Sequence, residues 1–190
     1  MATAPRMKDV RVNGIDLEAL SGVIRDVREN PGRGIVEFRV TSSWMGQTRS
    51  RATVESYRLG GRDIERRFEI AVDEPLELLG ENSAPNPQEL LMTAFNACIM
   101  VGYVVGAAVE GITLDTVRIE TRGALDLRGF LGIDPAVRPG YDSIQYTVRI
   151  KGDGTPEQFR RIHDTVCRTS PNYFNISRPV RLDAELVVEA

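Results

Sequence analysis

Residues 90–109 carry no charged side chain, and that stretch limits what this chain can fold into more than any other. Twenty residues of helix run about 30 Å, enough to cross a bilayer. Gly102 and Gly106 add a small-residue pair at the spacing that lets helices approach closely. Against a membrane span, no basic cluster flanks the stretch, Thr93 and Asn96 interrupt it, and amphipathic strand patterns follow it. A helix apolar on every side is also what the buried centre of an α+β domain requires. The sequence therefore predicts a core helix over 87–110, opened by the bracket Pro85-Asn86-Pro87 and closed by Gly111.

Cys98 lies in the middle of that helix. An apolar setting favours the neutral thiol, whereas reactivity belongs to the thiolate. The helix N-terminus is too distant for its dipole to help. Cys98 is thus either a small packing residue or a nucleophile assisted by a cation from elsewhere in the fold, and the residues alone leave both readings open.

The rest of the chain sets bounds. A length of 190 residues fits one domain with a substantial core. A net charge of −3 argues against general nucleic-acid binding, because the arginines at 49, 51, 62, 66 and 67 form local groups among acids. The opening MATAPRMKDVRVNG lacks the apolar centre of a secretory signal, so the expected compartment is the cytoplasm. Two cysteines are too few for a secreted disulfide framework. One histidine and two cysteines offer no metal-ligand spacing.

Leu17, Leu20, Ile24 and Val27 recur at helical spacing after Asp16 until Asn30-Pro31-Gly32 stops them. Strand patterns follow at 35–44, 51–57 and 67–72, with Gly60-Gly61 as a turn. After the apolar helix, strands are expected at 117–121 and 144–150, joined by a Gly- and Pro-rich connection. Thr155, Pro156 and Gln158 form a helix-opening capping box, and Phe159, Ile162, Val166 and Cys167 make that helix's apolar stripe, with His163 on the same face. A last strand is expected over 180–188. Hairpin-like strand spacing with two main helices reads as an α+β fold.

Cys98 and Cys167 occupy the core faces of the two main helices and form a candidate redox pair. His163 and Cys167, four residues apart, could form a Cys–His dyad for acyl transfer, though no nucleophile elbow accompanies them.

Four segments, APNPQELLMTAFNAC, GALDLRGFLG, RPGY and TSPNYFNISRPV, carry a resemblance to the OsmC/Ohr family of thiol-dependent peroxide-resistance proteins. It covers residues 80–188 strongly and 36–75 more weakly. It implies one OsmC-like domain over 1–190: an N-terminal helical extension at 1–33, a strand region at 34–79, and central helices with a second sheet at 80–190. It implies curved antiparallel sheets around two central helices in an intertwined homodimer. The activity implied is reduction of hydroperoxides at the expense of a dithiol reductant, in oxidative-stress defence, with no cofactor, metal, nucleic acid or membrane.

Cys98 matches the peroxidatic position, and Arg49, with Arg51 as the other arginine of the same turn, matches the family arginine that assists the thiolate. The family glutamate directly follows the Asn-Pro pair; here that place holds Gln88 and the acid is Glu89. The family's resolving cysteine precedes a proline; here Ser170 precedes Pro171, and Cys167 lies about one turn earlier. Phe95, Met92 and Tyr103 are expected to give the site an apolar lining that favours bulky organic hydroperoxides. The alternative implied by the departures is a non-catalytic relative that binds a small hydrophobic ligand.

Overall fold

The structure, a computed structural model, describes residues 11–189; the first ten residues of the expected N-terminal extension lie outside that range. The chain divides into two compact units between Thr93 and Ala94.

The first unit opens with a miniature hairpin, β1 (Arg11–Val12) and β2 (Ile15–Asp16). Helix α1 (Leu17–Glu29) follows, its N-terminus capped by the Asp16 carboxylate accepting from Ala19 N–H at 2.8 Å. The stretch expected as one strand at 35–44 is two, β3 (Val36–Phe38) and β4 (Thr41–Trp44). Both pair antiparallel with the same long strand β5 (Ser50–Leu59), β3 at its far end and β4 at its near end. On its other side β5 pairs with β6 (Arg62–Val72). Gly60 and Gly61 make the β5–β6 turn at φ of 55° and 81°, the two left-handed residues that a tight hairpin of this twist demands. The apolar helix α2 (Pro87–Val109) then begins. Asn86 and Glu89 cap it reciprocally: each side chain accepts the other's backbone N–H at 2.8 Å.

One carboxylate ties the loops of this unit together. Asp73, fully buried just after β6, accepts from Thr48 Oγ1 at 2.8 Å, Glu74 N–H at 2.9 Å, Glu81 N–H at 3.1 Å, and Ser83 through N–H at 3.0 Å and Oγ at 2.8 Å. The Ser83 N–H foremost holds this carboxyl far below the usual carboxylate range against the opposing effect of burial; the hydroxyls of Ser83 and Thr48 and the Glu74 N–H add to it. Asp73 thereby fixes both the β4–β5 turn, through Thr48, and the loop that carries Glu81.

In the second unit, α2 lies against a two-stranded antiparallel sheet, β7 (Leu114–Gly123) and β8 (Ile144–Gly152). The short helix α3 (Leu127–Phe130) sits in the connection between them. Helix α4 (Pro156–Thr169) starts with the expected capping box of Thr155 and Gln158. Phe95, Ile99, Tyr103 and Ala107 of α2, four residues apart, form the core with Ile112, Ile162 and Val166, and the inward residues of both strands pack on it. Gly102 and Gly106 bring the helices close: a Cβ on Gly102 would stand 2.9 Å from Val166 Cγ2, and one on Gly106 2.9 Å from Ile162 Cγ2.

Three further sequence expectations need correction. Helix α2 is buried along one stripe and not all round, since Val101 and Val109 are each 62% exposed. Ser170-Pro171 ends α4 but also starts a further helix, α5 (Pro171–Ser177), with Ser170 as its N-cap and Pro171 in the first turn. No strand forms over 180–188; Leu182 and Leu186 of that segment stand 88% and 87% exposed. Its alternating pattern is genuine, but a strand needs a ladder partner, and none within the described residues pairs with it.

Two outcomes test this packing. Gly106→Leu forces bulk into the α2–α4 contact and lowers unfolding free energy in urea by about 1–3 kcal/mol. Asp73→Asn lowers the thermal midpoint by several degrees at neutral pH. A carboxyl whose folded pKa is depressed stabilises fully above its unfolded value, about 3.9, and loses that contribution as pH falls towards the folded value. The midpoint gap between the two proteins therefore narrows in melts taken at successively lower pH below about 4.

Candidate functional site

In the second unit the Cys98 thiol is half-buried and lies 3.3 Å from the Ser170 hydroxyl. Ser170 is buried and doubly fixed: its N–H donates to Val166 O at 2.9 Å, and its hydroxyl accepts from Tyr173 N–H at 3.3 Å. The thiol opens on a groove of about 690 Å³ between α2 and α4. Val101, Val105 and Val109 supply one wall, and Ile162 and Val166 the other. Phe95 and Tyr103, expected to line this space, lie instead in the core, because their i, i+4 series faces the sheet. The arrangement offers a sulfur nucleophile at an apolar cleft, with a hydroxyl able to donate to or accept from it.

Cys167 is also a free thiol and half-buried. Its Sγ lies 3.7 Å from His163 Nε2, one turn back on α4, and 3.6 Å from the Tyr146 hydroxyl on β8. The other imidazole nitrogen, Nδ1, lies 2.5 Å from the Tyr103 hydroxyl on α2. Burial foremost, and then the charge of a Cys167 thiolate, push Tyr103 up to about 12. Burial, followed by the hydrogen bond to Cys167, pushes Tyr146 up as well. Sequence spacing brings out the His163–Cys167 pair; the two tyrosines come from distant elements and carry no local signal.

In the first unit Arg49 closes the tight β4–β5 turn. Met45 N–H donates to its carbonyl at 2.9 Å, its own N–H donates to Gly46 O at 3.0 Å, and Gly46 and Gln47 take positive φ. Its guanidinium donates from Nη1 to Glu81 at 2.9 Å and from Nη2 to Met45 O at 3.4 Å. Its Nε–H is buried and has no partner among the described residues. Arg51, two residues on, pairs across to Glu69 of β6 at 3.9 Å. The carboxylate of Glu89 is engaged in the α2 cap, so the acid beside Arg49 is Glu81. Sequence reading passed over Glu81 because a partner 32 residues away leaves no periodic or motif signature.

Among the described residues no group of three or more His, Cys, Asp or Glu is placed to hold a metal ion. No curated protein matches the chain. By structure the chain is similar to the OsmC-like protein of Mycoplasma pneumoniae, at 14% identity and a TM-score of 0.56, covering 74% of this chain and 87% of that one. It is likewise similar to a protein from Psychrobacter arcticus named for osmotic stress induction and a detoxification response, at 17% identity and a TM-score of 0.54, covering 70% and 84%. Those likenesses establish the α+β fold. The OsmC-like protein family itself matches residues 80–185, more than half of the chain and the part that holds both thiols, and the chain belongs to that family.

Proposed function

We propose that this protein is a thiol-dependent hydroperoxide reductase of stress defence, acting in the cytoplasm as a homodimer. The observation that supports it most is the Cys98 thiol, set at an apolar groove of about 690 Å³ within a domain of this family. The name of the Psychrobacter relative, with its detoxification response, agrees. In the proposed cycle the Cys98 thiolate attacks the outer oxygen of an organic hydroperoxide. The S–O bond forms as the O–O bond breaks, and the alkoxide takes a proton to leave as the alcohol. The sulfenic acid on Cys98 condenses with the Cys167 thiol, releasing water and forming a disulfide, which an external dithiol reduces. Arg49 supplies the cation that assists the thiolate. Its unpartnered Nε–H suits it to an anionic or polar oxygen partner, and Glu81, rather than Glu89, orients it. The valine-lined groove favours bulky organic peroxides over hydrogen peroxide.

A second reading has its own support. The polar neighbour of Cys98 is the Ser170 hydroxyl, at the position where the family resemblance places a resolving thiol. A chain so built could bind a small hydrophobic ligand in the groove without turning it over.

Trapping of a sulfenate with a dimedone probe after cumene hydroperoxide, located by mass spectrometry, decides between them. The peroxidase reading expects label at Cys98, lost in Cys98→Ser and cut by about tenfold or more in Arg49→Ala. An unlabelled Cys98 at neutral pH, with a thermal shift by apolar ligands that survives Cys98→Ser, establishes the binding reading. In light scattering the homodimer elutes at about twice the 21.1 kDa chain mass; a stable monomer at micromolar concentration removes the dimer from the proposal.

A further inference from the structure

The second thiol has chemistry of its own. Tyr103 Oη, His163, Cys167 Sγ and Tyr146 Oη form a continuous chain at 2.5, 3.7 and 3.6 Å. Both phenols keep their protons, since burial pushes each up. The partner of the Tyr103 hydroxyl is His163 Nδ1; a proton donated there from Tyr103 leaves Nε2 as the ring nitrogen that faces the sulfur as a donor. The Tyr146 hydroxyl faces the same sulfur from the sheet side. Two groups able to donate thus converge on Cys167, and negative charge that develops on that sulfur has both already in place. Cys167 is half-buried and makes no disulfide. Tyr146 also lines a cavity of about 250 Å³ with Phe95, Tyr141 and Tyr173, an aromatic recess with Asp142, Ser143 and Ser177 at its polar side, beside the thiol's own hydrogen-bond partner.

We propose that Cys167 is a thiol–disulfide exchange nucleophile in its own right, held by His163 and Tyr146, that takes small organic disulfides with aromatic or apolar substituents. This role is independent of Cys98 and of the peroxidase reading. In the step, Cys167 gives its proton to water and its sulfur attacks one sulfur of the disulfide. A new S–S bond joins Cys167 to that half, the original S–S bond breaks, and the departing thiolate takes the electron pair and is protonated by water. Tyr103 touches neither sulfur; it is a positioning residue that fixes the His163 tautomer.

The test is Cys98→Ser, in which Cys167 is the remaining thiol, mixed with 5,5′-dithiobis(2-nitrobenzoate) under native conditions while thionitrobenzoate release is followed. One equivalent per chain is expected, at a rate proportional to reagent concentration. Tyr146→Phe, which keeps the ring against Phe95 (centroids 5.2 Å apart), and His163→Ala each slow the reaction about tenfold or more. Tyr103→Phe slows it by a smaller factor below the melting range and slows it no further when added to His163→Ala, an effect that packing alone does not produce. In the unmutated chain, mass spectrometry finds the adduct on Cys167. A rate independent of reagent concentration means the thiol is reached only by opening of the fold and overturns the proposal; so does a Tyr146→Phe rate equal to that of the parent.

Discussion

Helices α2 and α4 approach each other across two glycines, and the positions of both thiols follow from that contact. The pairs run antiparallel in steps of four: Gly106 meets Ile162, Gly102 meets Val166, and Cys98 meets Ser170. Each step is about one helical turn, so the thiol–hydroxyl contact is the third rung of a ladder whose first two rungs are glycine against a branched aliphatic. The ladder explains why residue 98 must be small. It does not explain why it should be sulfur, since alanine or serine would fit the same rung. With α4 locked in this register, His163 and Cys167 occupy the next column of its surface and meet Tyr103 and Tyr146. The two thiols therefore belong to different columns of the same helix pair, one towards an apolar groove and one towards polar side chains.

The first unit solves a related problem with charge. A turn and a loop that carry functional candidates have no apolar core of their own to hold them, and here a single buried carboxylate does so. Asp73 satisfies three backbone N–H groups and two hydroxyls, and a charge-assisted hydrogen bond is stronger than a neutral one. Because Thr48 and Glu81 share that anchor, Arg49 and its carboxylate partner are held relative to each other through Asp73 as well as through their own exposed ion pair. The ion pair alone would be worth little at the surface.

What the sequence disclosed follows from the range of the interactions. Helix starts were legible, because Thr155 with Gln158 acts over three residues and the Pro85-Asn86-Pro87 bracket marks where α2 begins. So were the Gly60-Gly61 turn, the strands around it and the stripes of α1 and α4, each set by local period or a required φ. The long α2 was legible as a helix but not in its burial, since hydropathy cannot say which sides a single chain covers. Helix α5 was signalled by Ser170-Pro171, an ending for one helix that serves equally as a cap for the next. Of the candidate site, only Cys98 and the Arg49 turn lie in a motif that the sequence shows. Glu81, Asp73, Tyr103 and Tyr146 act across gaps that only the folded chain closes, and no spacing rule reaches them.

Residues 180–188 alternate apolar and polar as a half-buried strand does, yet within the described residues they pair with nothing and expose Leu182, Leu186 and Val188. The outer face of α2 presents Val101 and Val109 in the same uncovered way. An apolar pattern of strand or helix period records burial in the functional state of a protein, not in one isolated copy of it. Two elements whose patterns demand a cover that the described residues do not supply fit the homodimer proposed above, in which a second copy would provide both the ladder edge and the apolar face. On that view the period at 180–188 is that of a strand whose ladder partner lies outside the described residues of one copy.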